Sequence, residues 1–187
     1  STPKPSSAAS DVYKRQECAA RGETAILYCY ALGKAQRVLA ELMAHTDQPA
    51  LLHGAIAAGV AVYRQAGIPM LATEPVGETP RGSDFAGRLV IAPPSAAGSA
   101  WLRRFRQAQH GFASGWMQLR GNRRRRNVDR GFVVSDHADW PDLLRTVRET
   151  GARRIIATHG DTHALVRTLQ ESGVQAHALA MPQSEDD

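Results

Sequence analysis

Two short polar turns carry the residues best suited to chemistry: Ser135-Asp136-His137 and Thr158-His159-Gly160. Each sets an imidazole, a metal ligand and proton carrier near neutral pH, just after an apolar run. Those runs, Phe132-Val133-Val134 and Ile155-Ile156-Ala157, suit buried strands. The sequence between them predicts a helix. Asp139 caps it, Pro141 is tolerated in its first turn, and Asp142 follows Asp139 at capping-box spacing. Trp140, Leu143, Leu144 and Val147 share one face, and Gly151 closes the last turn. Residues 131–163 therefore read as strand, turn, helix, strand, turn. Two parallel strands joined by that helix put both turns on the carboxyl edge of one sheet, where open α/β sheets bind ligands. His137 and His159, 22 positions apart, are then expected on one rim. The plain alternative is two ordinary hydrogen-bonded histidines at loop starts.

Charge gives a second candidate. The net charge is +5, yet residues 101–130 alone carry +8: nine arginines (103, 104, 106, 120, 123, 124, 125, 126 and 130) against Asp129. Twenty of the 23 basic residues are Arg, which suits bidentate phosphate contact better than Lys does. Arg103, Arg104, Arg120, Arg123, Arg124, Arg125 and Arg126 are the expected nucleic-acid contacts, a solvated basic hairpin being the plain alternative. Gly33-Lys34, at the start of a predicted helix, can hold an anion on free N–H groups. It lacks the earlier glycine and the following Ser/Thr of a P-loop.

Around these residues the chain alternates strands and helices. Strands are predicted at 24–30, 50–53, 88–92, 111–117, 128–134, about 155–157 and 174–180. Helices are predicted through 35–43, 55–66, 140–150 and 162–172, with a short one around 101–105. That pattern is α/β with a largely parallel sheet. Residues 1–22, rich in Ser, Pro and Ala at the start, read as a disordered or foreign leader, and the acidic tail 182–187 should fray. Two cysteines, Cys18 and Cys29, are too few for a disulfide framework or a thiolate zinc site. A reducing cytoplasm is the simpler home. No apolar run approaches a membrane span.

YALGKAQRVL (30–39), LVIAPPSAAGSAWLRRF (89–105), FASGWMQLRG (112–121), GFVVSDHADWPDLL (131–144) and IIATHG (155–160) together resemble one family. It is the metallo-β-lactamase-fold nucleases with a β-CASP insertion. Within it, the closer likeness is to bacterial ligase-associated DNA exonucleases, often labelled mRNA 3′-end-processing-factor-like proteins. The likeness spans about Glu23 to Ala180. It implies a β-CASP-type α/β domain over 23–118 and the C-terminal portion of a metallo-β-lactamase αββα sandwich over 119–181. It also implies roles: His137 at the scissile phosphate, His159 as a zinc ligand, and Asp136 orienting one of these rings. The implied reaction is two-metal hydrolysis of DNA ends, beside a DNA ligase and a helicase. RNA 3′-end processing is the alternative substrate class, and a non-catalytic nucleic-acid-binding module the alternative function.

The family's principal metal box, His-x-His-x-Asp-His, does not occur here. Its further His and Asp ligands are absent too, as is the acidic residue expected just before the first β-CASP strand. One imidazole cannot hold a zinc that takes three or four protein ligands. The chain is accordingly expected to be a C-terminal fragment that alone binds no catalytic metal and hydrolyses no DNA.

Overall fold

The computed structural model describes residues 17–80, 82–118, 128–135, 137–159 and 161–179. They form an α/β fold in two compact units, divided between positions 136 and 137.

The first unit is a six-stranded, wholly parallel sheet. Its strands are β1 (Thr24–Tyr28), β2 (Ala50–Leu52), β3 (Thr73–Pro75), β4 (Leu89–Ala92), β5 (Ala108–Ala113) and β6 (Arg130–Phe132), in the order β3-β2-β4-β1-β5-β6. The central strands are continuous apolar runs because both faces are covered. On one face Leu27, Leu52, Leu89 and Ile91 pack with α1 (Lys34–Leu42) and α2 (Gly54–Gln65), through Val38, Leu39, Ile56 and Val60. On the other, Ile26, Tyr28, Leu51, Val90 and Phe112 pack against Phe85 and Phe105. Two 3₁₀ segments, Pro94–Ala96 and Ala100–Arg104, stand where the sequence predicts a short helix.

Three details depart from the sequence pattern. β3 lies where the sequence pattern predicts neither strand nor helix. Thr73-Glu74-Pro75 has no apolar pattern, and it is an edge strand paired only to β2, where proline is tolerated. The strand predicted at 111–117 sits earlier, at 108–113. Ser114 ends it: its hydroxyl accepts the Trp116 N–H and its carbonyl the Met117 N–H, turning the chain into a 3₁₀ segment, Gly115–Gln118. Within the segment 1–22 the described residues, 17–22, are structured. Residues 17–20 are helical, Cys18 is fully buried, and its carbonyl accepts the N–H groups of Arg21 and Glu23.

The second unit holds α3 (Trp140–Glu149), β7 (Arg154–Ala157), α4 (His163–Glu171) and β8 (Gln175–Ala178). β7 and β8 pair in parallel as a separate two-stranded sheet. This corrects the expectation that the strand before His137 and the strand before His159 share a sheet. β6 pairs with β5, where Gly111 makes room for it. A Cβ on Gly111 would come within 2.7 Å of the Phe132 ring, so the bare glycine makes the slot that seats Phe132.

Gly111→Ala is expected to cost about 2 kcal/mol in urea unfolding, as overpacking costs in a closed core. In a Phe132→Leu background the cost should shrink, because the two sites share one space. Equal costs in both backgrounds would remove Phe132 as the reason for the glycine.

Candidate functional site

All six strands of the first sheet run parallel, so their exit loops gather on one edge. Tyr30 to Lys34 come after β1, His53 after β2, Pro93 to Ser95 after β4, and Ser114 to Trp116 after β5. Arg37 on α1 donates to the Ser135 carbonyl beyond β6, and a Cβ on Gly115 would lie 3.4 Å from Ser135 Oγ. The sequence pattern does not single out His53, although it ends a strand as His137 and His159 are predicted to do. Its Nδ1 accepts the Ala55 N–H at 3.1 Å, capping α2 and leaving the proton on Nε2. Its ring meets Trp101 edge-on at 4.8 Å, and burial holds the imidazole below its ordinary range. His53 is thus a neutral Nε2–H donor on this edge.

At the Gly33-Lys34 turn, two of the main-chain N–H groups have partners within the turn. The Lys34 N–H already donates to Leu32 and the Ala35 N–H to Tyr30. Lys34 itself is 3% exposed, with its ammonium 5.2 Å from the centre of the Tyr30 ring. Arg104 is anchored through one nitrogen, its Nη2 donating to the carbonyl and the hydroxyl of Thr79, each at 2.9 Å. Arg103 is exposed. Arg120, Arg123, Arg124, Arg125, Arg126 and Asp136 lie outside the described residues.

Buried Tyr28 and partly buried His110 form a polar pair on the face away from α1. Tyr28 Oη and His110 Nδ1 share a hydrogen bond at 2.9 Å, and burial pushes the phenol up to about 12. The Asp129 carboxylate accepts the His110 N–H at 2.7 Å and ties down the start of β6. These groups satisfy each other, which is what buried polar atoms in a core require.

His137 and His159 both belong to the second unit. His137 is exposed just before α3, whose cap is made as predicted: Asp139 accepts the Asp142 N–H at 2.9 Å. Residues 150–153 close the helix through Gly151, at φ 62°, and lead straight into β7. His159 has φ 65°, the only described non-glycine residue in the left-handed region. Its Nδ1 lies 3.1 Å from Thr158 Oγ1. Among the described residues no three of His, Cys, Asp and Glu gather as a metal-binding group. The donors present do not make a zinc site, since His159 is one ligand where three or four are needed.

No protein-family model matches the chain. It is 34% identical, over 131 residues, to a protein of Opitutus terrae (strain DSM 11246 / JCM 15787 / PB90-1) named "Probable DNA ligase". The match takes in 70% of this chain and 12% of that protein, so the chain spans about an eighth of its relative. Among the described residues no helix is long and apolar enough to cross a membrane.

Proposed function

We propose that this chain is part of a DNA-end-processing hydrolase of the metallo-β-lactamase/β-CASP kind, acting beside a DNA ligase. The observation that carries the reading is the match to a protein named "Probable DNA ligase". It falls on a chain whose SDHADW and THG motifs independently resemble ligase-associated exonucleases. The parallel α/β unit takes the part of the β-CASP insertion. The unit from His137 takes the part of the returning metallo-β-lactamase segment. His137 then serves the scissile phosphate, and His159 contributes one ligand to a zinc centre whose other ligands lie in sequence joined to this one. The basic stretch 101–130, at +8, supports a nucleic-acid substrate. No residue favours RNA over DNA; the relative's name tips the reading toward DNA.

The test uses the gene product of the source genome that contains this chain. Purified and given end-labelled single-stranded DNA, it is expected to shorten the strand, and a metal chelator is expected to stop it. A strand left intact by metal-replete protein would sink the reading.

A further inference from the structure

The amino edge of the first sheet, opposite the edge that carries His53 and Ser114, holds a second site. A cleft of about 570 Å³ opens where the chain enters β1, β4 and β5, three adjacent strands. Thr24, Ser83, Asp84, Arg104, Arg106 and Gln107 line it, over the buried pair Phe85 and Phe105, whose rings are 4.9 Å apart. That volume is in the range of small-molecule sites, roughly 300–1,000 Å³.

The lining has donors to spare and few acceptors. Among the described residues, the main-chain N–H groups of Asp84, Phe85, Arg106 and Gln107 meet no protein acceptor. Arg106 is exposed and makes no ion pair among the described residues. Arg104 is anchored by Thr79 through one nitrogen, which orients the guanidinium and leaves most of its five donors unspent. The acceptors are largely taken or turned away. Asp84 Oδ1 receives the Ala86 N–H, and the hydroxyls of Thr24 and Ser83 donate to the carbonyls of Phe85 and Pro80. Two guanidinium groups against one carboxylate leave the cleft at +1. A surplus of N–H donors around a pre-oriented arginine matches a ligand that is all acceptors and negatively charged.

We propose that this cleft is a phosphate-binding site, taking the phosphate monoester of a nucleotide. The nucleotide is either a free mononucleotide or the phosphorylated terminus of a strand, and the phosphate chemistry is shared. Nothing in this assignment depends on the chemistry of the histidine-bearing turns.

The experiment is calorimetric titration of this chain with adenosine monophosphate, and with adenosine as the same molecule without its phosphate. The monophosphate is expected to bind at least about tenfold more tightly than adenosine. Arg106→Ala is expected to weaken it at least about tenfold, from loss of a charge-assisted contact. Arg153→Ala removes the same charge from an exposed position elsewhere and is expected to change affinity by less than about twofold. Equal binding of the two ligands, equal effects of the two substitutions, or no saturable binding would each overturn the proposal. Arg106 is exposed, so its loss should leave the circular dichroism spectrum unchanged. A pair of oligothymidylates with and without a 5′-phosphate then separates the sources. Tighter binding of the phosphorylated strand, lost in Arg106→Ala, identifies the strand end. Indifference to that phosphate, with the monophosphate bound, identifies the free nucleotide.

Discussion

Replacing His159 by glycine is expected to leave the chain more stable than replacing it by alanine, by about 1 kcal/mol, while both changes abolish strand shortening by the gene product that contains it. The first half rests on the backbone. At φ 65° a residue with a Cβ crowds its own carbonyl, and holding it there costs on the order of 1–2 kcal/mol. Glycine escapes that crowding, at an entropic cost of about 0.5–1 kcal/mol. Alanine keeps the crowding, and the Thr158–His159 contact is lost in both variants alike. The second half rests on the proposed role. With Nδ1 turned to Thr158, Nε2 is the nitrogen left to act, and neither small side chain supplies one. Loss of a ligand to a catalytic metal is expected to cost activity by at least about a hundredfold, beyond the 10–100-fold typical of its supporting groups. The two readouts separate two ideas. A glycine variant within about tenfold of full activity would remove His159 from the chemistry. Equal stability of the two variants would show that the left-handed backbone carries no strain.

That strain is the sort of feature sequence patterning does not report. Histidine after an apolar run marks a strand end, and here the mark is sound: β7 closes at Ala157 and the turn begins at Thr158. The φ angle is a tertiary outcome, visible only with coordinates. The regular elements are legible for simple reasons. α1 repeats its apolar residues at helical spacing, α3 has its cap and its closing glycine, and β1 and β4 are unbroken apolar runs buried on both faces.

Adjacency is what misleads. A strand, helix, strand succession reads as one crossover unit, yet β6 pairs with β5 and β7 with β8, in separate sheets. A glycine inside a strand is a signal of close approach, and Gly111 carries it in the sequence. The amino-edge cleft leaves no such trace. Its walls come from residues 22–24, 82–86 and 104–107, joined only by the parallel sheet. At the helix-start Gly-Lys pair the sequence shows the residues but not their bonds: the Lys34 and Ala35 N–H groups donate to the carbonyls of Leu32 and Tyr30.

In hydrogen exchange, the amides of β7 and β8 are expected to exchange at least about a hundredfold faster than those of β1 and β4 under native conditions. Local opening free energies track how much apolar surface each element buries. β1 and β4 lie in mid-sheet, with Ile26, Leu27, Val90 and Ile91 each at most 3% exposed. The second unit buries only Ala157, Leu169 and Ala176 among its described hydrophobic residues. α3 buries none at all, although its sequence makes a clear apolar face. Trp140, Ile156 and Leu179 are 44%, 55% and 50% exposed. One leucine and two alanines contribute a few kcal/mol at most, and a lone pair of strands is marginal without a further layer. A hundredfold ratio corresponds to about 2.7 kcal/mol of opening free energy at 1.36 kcal/mol per tenfold step. Equal protection in the two sheets would mean that the second unit is held by something burial does not show. The same measurement bears on the proposed function. If the unit is the returning edge of a larger sandwich, the β7 and β8 amides should gain protection in the gene product that contains the chain, while those of β1 and β4 stay as they are. Protection that does not change on going from this chain to that protein would leave the exposed face of α3 and Ile156 without the sheet the reading assigns to them.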